Sequence, residues 1–459
     1  MISESSRAPS WQGLKGALRG TLVLPGDAGY DEGRRVWNGA IDRHPLAIAR
    51  CLDAEDVSAA VKFALREGVP MTVRGGGHNV AGLAVRDGAL MLDLRALNRV
   101  DVDPLSRTAR VEGGALWRDV DAATQPHGLA TTGGFVSTTG VGGYTLGGGV
   151  GWLMRRCGLA IDNLLEANVV LADGRSVAAS QNQHADLFWG LRGGAGGLGV
   201  VTRFTFGLHP VREVYAGAVF YPLEAAPALL RAFRAFTPDA ADTLTAMLVF
   251  TTAPPLPFLP ASTHGQRVVA LAYSWNGDLA LGARAAAPIL ESAEPLGRHE
   301  GVMPYANWQQ TFDPAAPPDH HYYWTTSQFD AFDDALIDAL VARAAQPADP
   351  LCDVHVHHLG GVVARVANDV TAFSHREARF FINVIGHTDA AERFGTIRDW
   401  ARGLRAALAP YARADMQPNF VGEAADLDAH AIDSATRTKL AELRARYDPE
   451  KLFAPVRAV

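Results

Sequence analysis

Two hydrophobic rhythms run along the chain, and they place its elements. Leu46 to Cys51 is an apolar run of strand length, and Asp53-Ala54-Glu55-Asp56 behind it offers a helix cap and an acidic first turn. Val57, Ala60, Val61, Ala64 and Leu65 then recur at helical spacing until Gly68. Further strands are predicted at Val69 to Val73 and Gly88 to Leu94, shorter ones at Val100 to Val102 and Thr108 to Glu112, and a helix over Leu116 to Thr124. Leu165 to Leu171 reads as a strand closed by an Asp173-Gly174 turn, and Val200 to Phe206 alternates as a half-buried strand does.

From Val211 the texture changes. Strands at Tyr215 to Tyr221, Leu244 to Phe250 and Val268 to Trp275 alternate with Ala-rich helices at Leu223 to Phe236, Asp278 to Leu290 and Asp330 to Ala345. Pro-rich stretches, Ala253 to Pro260 and Asp313 to His321, are loops because proline has no N–H and a fixed φ. The class predicted is α+β. Leu351 to Leu359 alternates, so His355 and His357 share one face while Val354 and Val356 take the other. The run His320-His321-Tyr322-Tyr323-Trp324 alternates too, and one of its faces is a candidate lining for a cleft, with core packing as the competing reading.

Glycine changes the picture more than any other residue. Arg74-Gly75-Gly76-Gly77-His78-Asn79 stands between two predicted strands, Gly128 to Leu153 is richer still, and Gly193 to Gly199 precedes the strand at Val200. None is a phosphate loop, since no Lys-Ser/Thr follows, and none is a Gly-x-Gly-x-x-Gly opening a helix. Plain turns and a flexible linker compete with a functional reading, but Phe135, Val136, Val141, Leu146, Val150 and Trp152 interleave the second stretch as no linker requires. Three glycine-rich loops, each beside a strand, imply one extended polar ligand held largely by backbone amides, such as a large nucleotide.

Composition narrows the class. In 459 residues, two or three domains' worth of chain, 48% are hydrophobic and 20% charged, as in a folded globular protein. The net charge of −7 comes without a basic block, which argues against nucleic acid as a partner. No apolar run approaches signal-peptide or membrane-span length, so a cytoplasmic location is expected. Cys51, Cys157 and Cys352 are scattered without metal-ligand spacing, so neither a disulfide framework nor a metal site is expected.

Val73 to Gly82, Gly140 to Gly151, Asp186 to Gly194, Gly199 to Thr202 and Tyr447 to Phe453, in this order, resemble the FAD-linked oxidases of the berberine bridge enzyme-like group, in the vanillyl-alcohol oxidase or p-cresol methylhydroxylase (PCMH-type) superfamily. The resemblance implies a two-part FAD-binding domain with an inserted antiparallel-sheet-plus-helices substrate domain: 1–212 binding FAD, 213–414 holding substrate, and 415–459 returning to the FAD-binding part. It also implies that His78 is bonded to the flavin 8α-methyl carbon. Arg74, Gly75, Gly76, Gly77, Asn79, Gly82 and Leu83 match the loop around the pyrophosphate and dimethylbenzene side. Thr139, Gly140, Gly142, Gly143 and Tyr144 with Gly147, Gly148 and Gly149 match the second loop, Gly199, Val200 and Val201 the strand edge near the adenine half, and Asn419 the element near the ring.

Departures from the family pattern are as telling. Val136 stands where many relatives carry a second, cysteinyl attachment, so a single linkage through His78 is expected. Tyr144 replaces a frequent histidine, Met416 stands at or near the place of a tyrosine, and Ala454-Pro455-Val456 interrupts the usual ending. The family places its base on the strand holding His355 and His357, so His355 is the first candidate and His357 the second, with Tyr323 a further catalytic candidate on the neighbouring run. Metal binding by His355, His357 and His358, or no role at all, competes with this. Thr139 is expected beside the flavin C4a and N5 atoms, where its small hydroxyl side chain leaves room for O2 and for flavin–oxygen chemistry.

The activity implied is oxidation of an alcohol or amine carbon of a small organic compound or natural-product intermediate by hydride transfer to flavin N5, with O2 as acceptor. A dehydrogenase using another acceptor and a flavin-holding binding protein without turnover are the alternatives.

Overall fold

Asp53 caps the helix Ala54–Glu67 by accepting from the Asp56 amide at 2.9 Å, in a computed structural model that describes residues 9–413, 416–423 and 432–453. The helix buries Val57, Ala60, Val61 and Ala64 against a four-stranded sheet made of β1 (Thr21–Val23), β2 (Ala47–Arg50), β3 (Met71–Arg74) and β4 (Leu90–Asp93), in the order β1-β2-β4-β3. β4 runs parallel to both β2 and β3, so the chain leaves β3 at the edge where the triple glycine begins.

A second sheet follows. Here β5 (Val100–Asp103), β6 (Thr108–Glu112), β8 (Leu164–Val170), β9 (Ser176–Ser180) and β10 (Val200–Gly207) pair antiparallel in the order β5-β6-β10-β8-β9, while the short β7 (Leu129–Ala130) pairs with β11 (His209–Pro210). Phe204, Phe206, Trp117, Leu187 and Leu440 fill its core, the last from the helix Ser434–Tyr447 near the end of the described chain.

The third sheet is antiparallel and seven-stranded. It comprises β12 (Glu213–Pro222), β13 (Leu244–Thr252), β14 (Arg267–Trp275), β15 (Gly297–Pro304), β16 (His321–Phe329), β17 (Asp353–His358) and β18 (Phe380–Thr388), ordered β15-β12-β14-β13-β17-β18-β16. The helices Ala226–Phe236, Asp334–Ala344 and Phe394–Leu408 cover one face with Leu230, Phe233, Leu336, Leu340 and Leu404, and the other face meets the glycine-rich part of the chain through Phe135, Trp152, Trp308 and Phe381.

The fold class is thus α+β with the antiparallel sheet expected. Some elements differ from expectation for identifiable reasons. The helix expected over Asp278 to Leu290 is a 3₁₀ turn, Leu279–Arg284, followed by one α-turn, Ala287–Leu290, because Pro288 donates no N–H and must sit in a first turn. β18 lacks any alternation since all nine of its residues are buried between two layers, and β15 is a polar edge strand. The return expected near Asp415, and Ala454 to Val456, lie outside the described residues.

The turn after the second glycine loop is tied to the segment beyond β17 by a buried ion pair. Arg376 Nη1 and Nη2 donate to the Asp162 carboxylate at 2.9 and 2.8 Å, and Nη2 also reaches Thr371 Oγ1 at 2.9 Å. Removing one partner of such a pair strands the other without water. We expect Arg376→Met to cost about 3 kcal/mol and to lower Tm by roughly 3 °C, read by thermal unfolding.

Candidate active site

The glycine loops and the third sheet close on one cavity of about 1590 Å³ counted to its solvent-facing mouth. Its wall is made by Gly75 to Asn79 beyond β3, Phe135 to Leu146 of the second loop, Ala195 to Val201 entering β10, Trp324 of β16, and Pro418 to Phe420. Among the described residues the wall carries no Asp, Glu, Lys or Arg. Phosphate held here would be neutralised by backbone amides in successive tight turns rather than by side-chain cations.

Close approach explains the glycines at its centre. A Cβ on Gly76 would fall 2.6 Å from both Cα and N of Gly140, so the first and second loops touch backbone to backbone. Gly143 is the opposite case: a Cβ there would meet nothing within 4 Å and would stand in the cavity.

His78 occupies the wall with its imidazole stacked on Trp37, centroids 4.1 Å apart and planes 14° from parallel. Its Nε2 is buried without a hydrogen-bond partner. Although the residue is partly open to the cavity, its ring lies among apolar groups, and that desolvation pushes its pKa down to about 4. Near neutral pH the imidazole is therefore uncharged, with a lone pair available. A neutral imidazole with a free Nε2, beside a cavity lined by three glycine-rich segments, fits a large flavin nucleotide.

The other candidates divide. Asn79, Leu83, Thr139, Gly140, Gly142, Gly143, Tyr144, Gly199, Val200, Val201 and Asn419 line the cavity together with Gly75, Gly76 and Gly77. Asn79 also holds its own loop, Oδ1 accepting from the Ala81 amide at 3.1 Å, and Asn419 Nδ2 donates to the Tyr144 carbonyl at 2.8 Å. Tyr144 donates its hydroxyl to the Val150 carbonyl at 2.8 Å, and burial raises its pKa well above the ordinary phenol value, so it presents a neutral ring. Val136 lines the cavity, while Cys51, Cys157 and Cys352 are buried away from it.

Five residues expected at the cofactor pack behind the wall instead. Arg74 turns outward, its Nη1 donating to the Gly33 carbonyl at 2.6 Å. Gly82 makes room for Ile41, Gly147 for Asn419, Gly148 for Phe373, and Gly149 for Ala160 and Tyr144. These glycines set the spacing of the loops rather than touching the cavity.

On the sheet, His355 and His357 share the face turned toward the cavity, with Val354 and Val356 in the helix-side core. Neither histidine reaches the wall. His357 is buried, stacked on Phe381 at 4.1 Å and 5.0 Å from Phe135, and desolvation depresses its pKa well below the usual imidazole value. His355 keeps 15% of its side chain exposed and lies 3.9 Å from Asp353 Oδ2. His358 projects to the opposite face, where its Nε2 meets Arg155 Nη1 at 3.0 Å, so the three imidazoles do not converge. Tyr323 corrects an expectation: it lies in the helix-side core with Arg402 Nε donating to its hydroxyl at 3.1 Å, and the cavity-facing members of that run are Tyr322 and Trp324.

Trp37, Phe135 and Phe420 belong to the site or its immediate support without having been candidates. Trp324 and Phe420 stack at 6.0 Å, and Phe135 lines the same wall. Alternation flagged the strand of Trp324; nothing near Trp37 in sequence signals its role.

Residues 45–180 match the model of an FAD binding domain. Over 442 residues the chain is 27% identical to an FAD-linked oxidoreductase of Dictyostelium discoideum, covering 95% of this chain and 94% of that one. Over 204 residues it is 37% identical to (R)-6-hydroxynicotine oxidase of Paenarthrobacter nicotinovorans, covering 44% of each. Among solved structures, Physcomitrella patens BBE-like 1 superposes with a TM-score of 0.86 at 22% identity, covering 97% of both chains. Among the described residues no helix is long and apolar enough to cross a membrane.

Proposed function

We propose that this chain is an FAD-linked oxidoreductase of the berberine bridge enzyme-like, PCMH-type family, and an O2-using oxidase with FAD bonded through His78 alone. The observation that carries the reading is the neutral imidazole of His78 in the cavity wall, its Nε2 without a hydrogen-bond partner. Val136 in the same wall offers no thiol for a second bond. The substrate is a small molecule with a hydroxyl- or amine-bearing carbon and an uncharged, flat face, because Trp324, Phe420 and Phe135 give aromatic walls and no ion-pairing group.

Bound FAD supplies a two-electron acceptor that O2 restores, yielding peroxide. The chain's own residues orient the substrate and handle its proton. His355, on the cavity-facing side of β17, partly open but set back from the wall, takes the proton from the substrate heteroatom through one bridging water. Replacing it by Gln should lower kcat about 100-fold with flavin content unchanged. Trp324→Ala should raise KM about tenfold and leave kcat nearly intact, as loss of one aromatic face removes binding common to ground and transition states. Thr139→Val should slow reoxidation by O2 about tenfold in stopped-flow traces, about 1.4 kcal/mol of barrier.

The deciding experiment is spectrum, intact mass and peroxide yield together. A yellow protein with one FAD retained through denaturation, giving one peroxide per substrate, is the expected result. Dye reduction without peroxide would make it a dehydrogenase.

A further inference from the structure

A column of stacked rings runs from the cavity wall into the third sheet. His78 stacks on Trp37, Trp37 on Tyr322 at 3.9 Å and 19°, and Tyr322 on His387 at 4.3 Å and 22°. The middle of the column is stitched on both sides. Toward the first loop, the Trp37 amide donates to the Gly77 carbonyl at 3.1 Å and Asn38 Nδ2 to the Val80 carbonyl at 2.7 Å.

Toward the sheet, Trp37 Nε1 donates to the Ala316 carbonyl at 3.0 Å, the Asp319 amide to the Trp37 carbonyl at 3.0 Å, and the Gly39 amide to the His320 carbonyl at 2.8 Å. Asn38, buried to 1% exposure, exchanges both side-chain atoms with Tyr322: Oδ1 accepts from its amide at 3.0 Å and Nδ2 donates to its carbonyl at 2.9 Å. A three-residue segment thus fixes the plane of Trp37 by reference to a strand some 280 positions further along the chain.

We propose that Trp37 and Tyr322 are positioning residues for flavin attachment, holding the His78 ring in the one orientation that bonds the flavin, so that attachment is completed only once the seven-stranded sheet is docked on the glycine loops. The proposal rests on the His78 linkage above and extends it. In attachment one C–N bond forms between imidazole and the 8α carbon; the methyl group loses one C–H bond and the imidazole its N–H, and O2 carries off both electrons and both protons as hydrogen peroxide. The imidazole loses no charge in this and needs no proton removed beforehand to be nucleophilic. What it needs is aim, and a ring clamped on one face cannot rotate away from its target. The sheet-side partner matters because an indole held only by the first loop would be free to tilt.

The test is covalent incorporation in protein made in riboflavin-starved cells, then given FAD and O2. Intact mass reads attached FAD and acid precipitation reads FAD bound but released. Trp37→Leu and Tyr322→Leu should bind one FAD but attach it about 100-fold more slowly, with Trp37→Phe and Tyr322→Phe restoring attachment to within threefold of the natural protein. Attachment at the natural rate in both Leu variants would overturn the proposal. So would loss of bound and attached FAD together in all four variants, which would make the column packing alone. A natural protein that binds FAD and releases all of it on denaturation would overturn the linkage reading itself, and this proposal with it.

Discussion

On the proposed linkage, His78→Ala is expected to yield a protein whose intact mass carries no FAD, against one FAD per chain expected for the natural protein, and whose colour leaves with the supernatant on acid precipitation. Among the described residues the wall holds no cysteine, lysine or second histidine, so no comparable nucleophile replaces the imidazole. The thiols are no substitute, since burial raises the pKa of Cys51, Cys157 and Cys352 and none of them lines the cavity. FAD still enters, because the glycine loops remain. An alkyl-imidazole bond raises the flavin's reduction potential, so kcat should fall by at least about tenfold in FAD-supplemented assays, about 1.4 kcal/mol of barrier. Retention of covalent FAD by the variant would show that attachment lies elsewhere.

Gly76→Val empties the cradle without touching any group that does chemistry. Two β-branch methyls would have to fit where even a Cβ lies 2.6 Å from the Gly140 backbone and 3.0 Å from Leu116 Cδ2. Leu116 Cδ2 ends a side chain that can shift, but the closer contact is Gly140 main chain and cannot. The loops must separate, which costs about 3 kcal/mol of stability and, more decisively, breaks the juxtaposition that forms the floor of the cavity. The expected result is a folded protein with Tm lowered by about 3 °C and no FAD bound at micromolar concentration. Gly143→Ala separates the two kinds of glycine: it should leave Tm unchanged while weakening FAD, because its methyl enters open cavity space.

The pH behaviour of the imidazoles follows from burial. His78 is neutral in the folded chain with its pKa near 4, below its unfolded value near 6.5. Stability linked to it is fully present above the unfolded pKa and is lost as pH falls through 6.5 toward 4, since the unfolded chain takes up the proton first. His357 and His387 are depressed for the same reason and add to the same acid-side loss.

Much of the site was legible because its signals are local. The helix at 54–67 could be read from Asp53, Asp56 and the 3.6-residue spacing, and the shared face of His355 and His357 from period-two alternation. His78 stood out because three glycines precede it. Other assignments failed where a local signal has two meanings. Gly147, Gly148 and Gly149 sit in a glycine-rich loop, yet they make room for neighbouring residues, not for a ligand. Tyr323 failed for a topological reason: alternation separates Tyr322 and Trp324 from Tyr323 but does not say which set faces the helices.

The sequence by itself determined the element types in the glycine-rich half, the placing of its glycine-rich loops beside strands and the histidine that follows the first of them, because each depends on residues close in the chain. Only the tertiary structure decided which face of β16 lines the cavity and that Trp37 and Tyr322 stand behind His78. The reason is that stacking and burial join residues hundreds of positions apart, and the sheet order that brings them together leaves no trace in the spacing around any one of them.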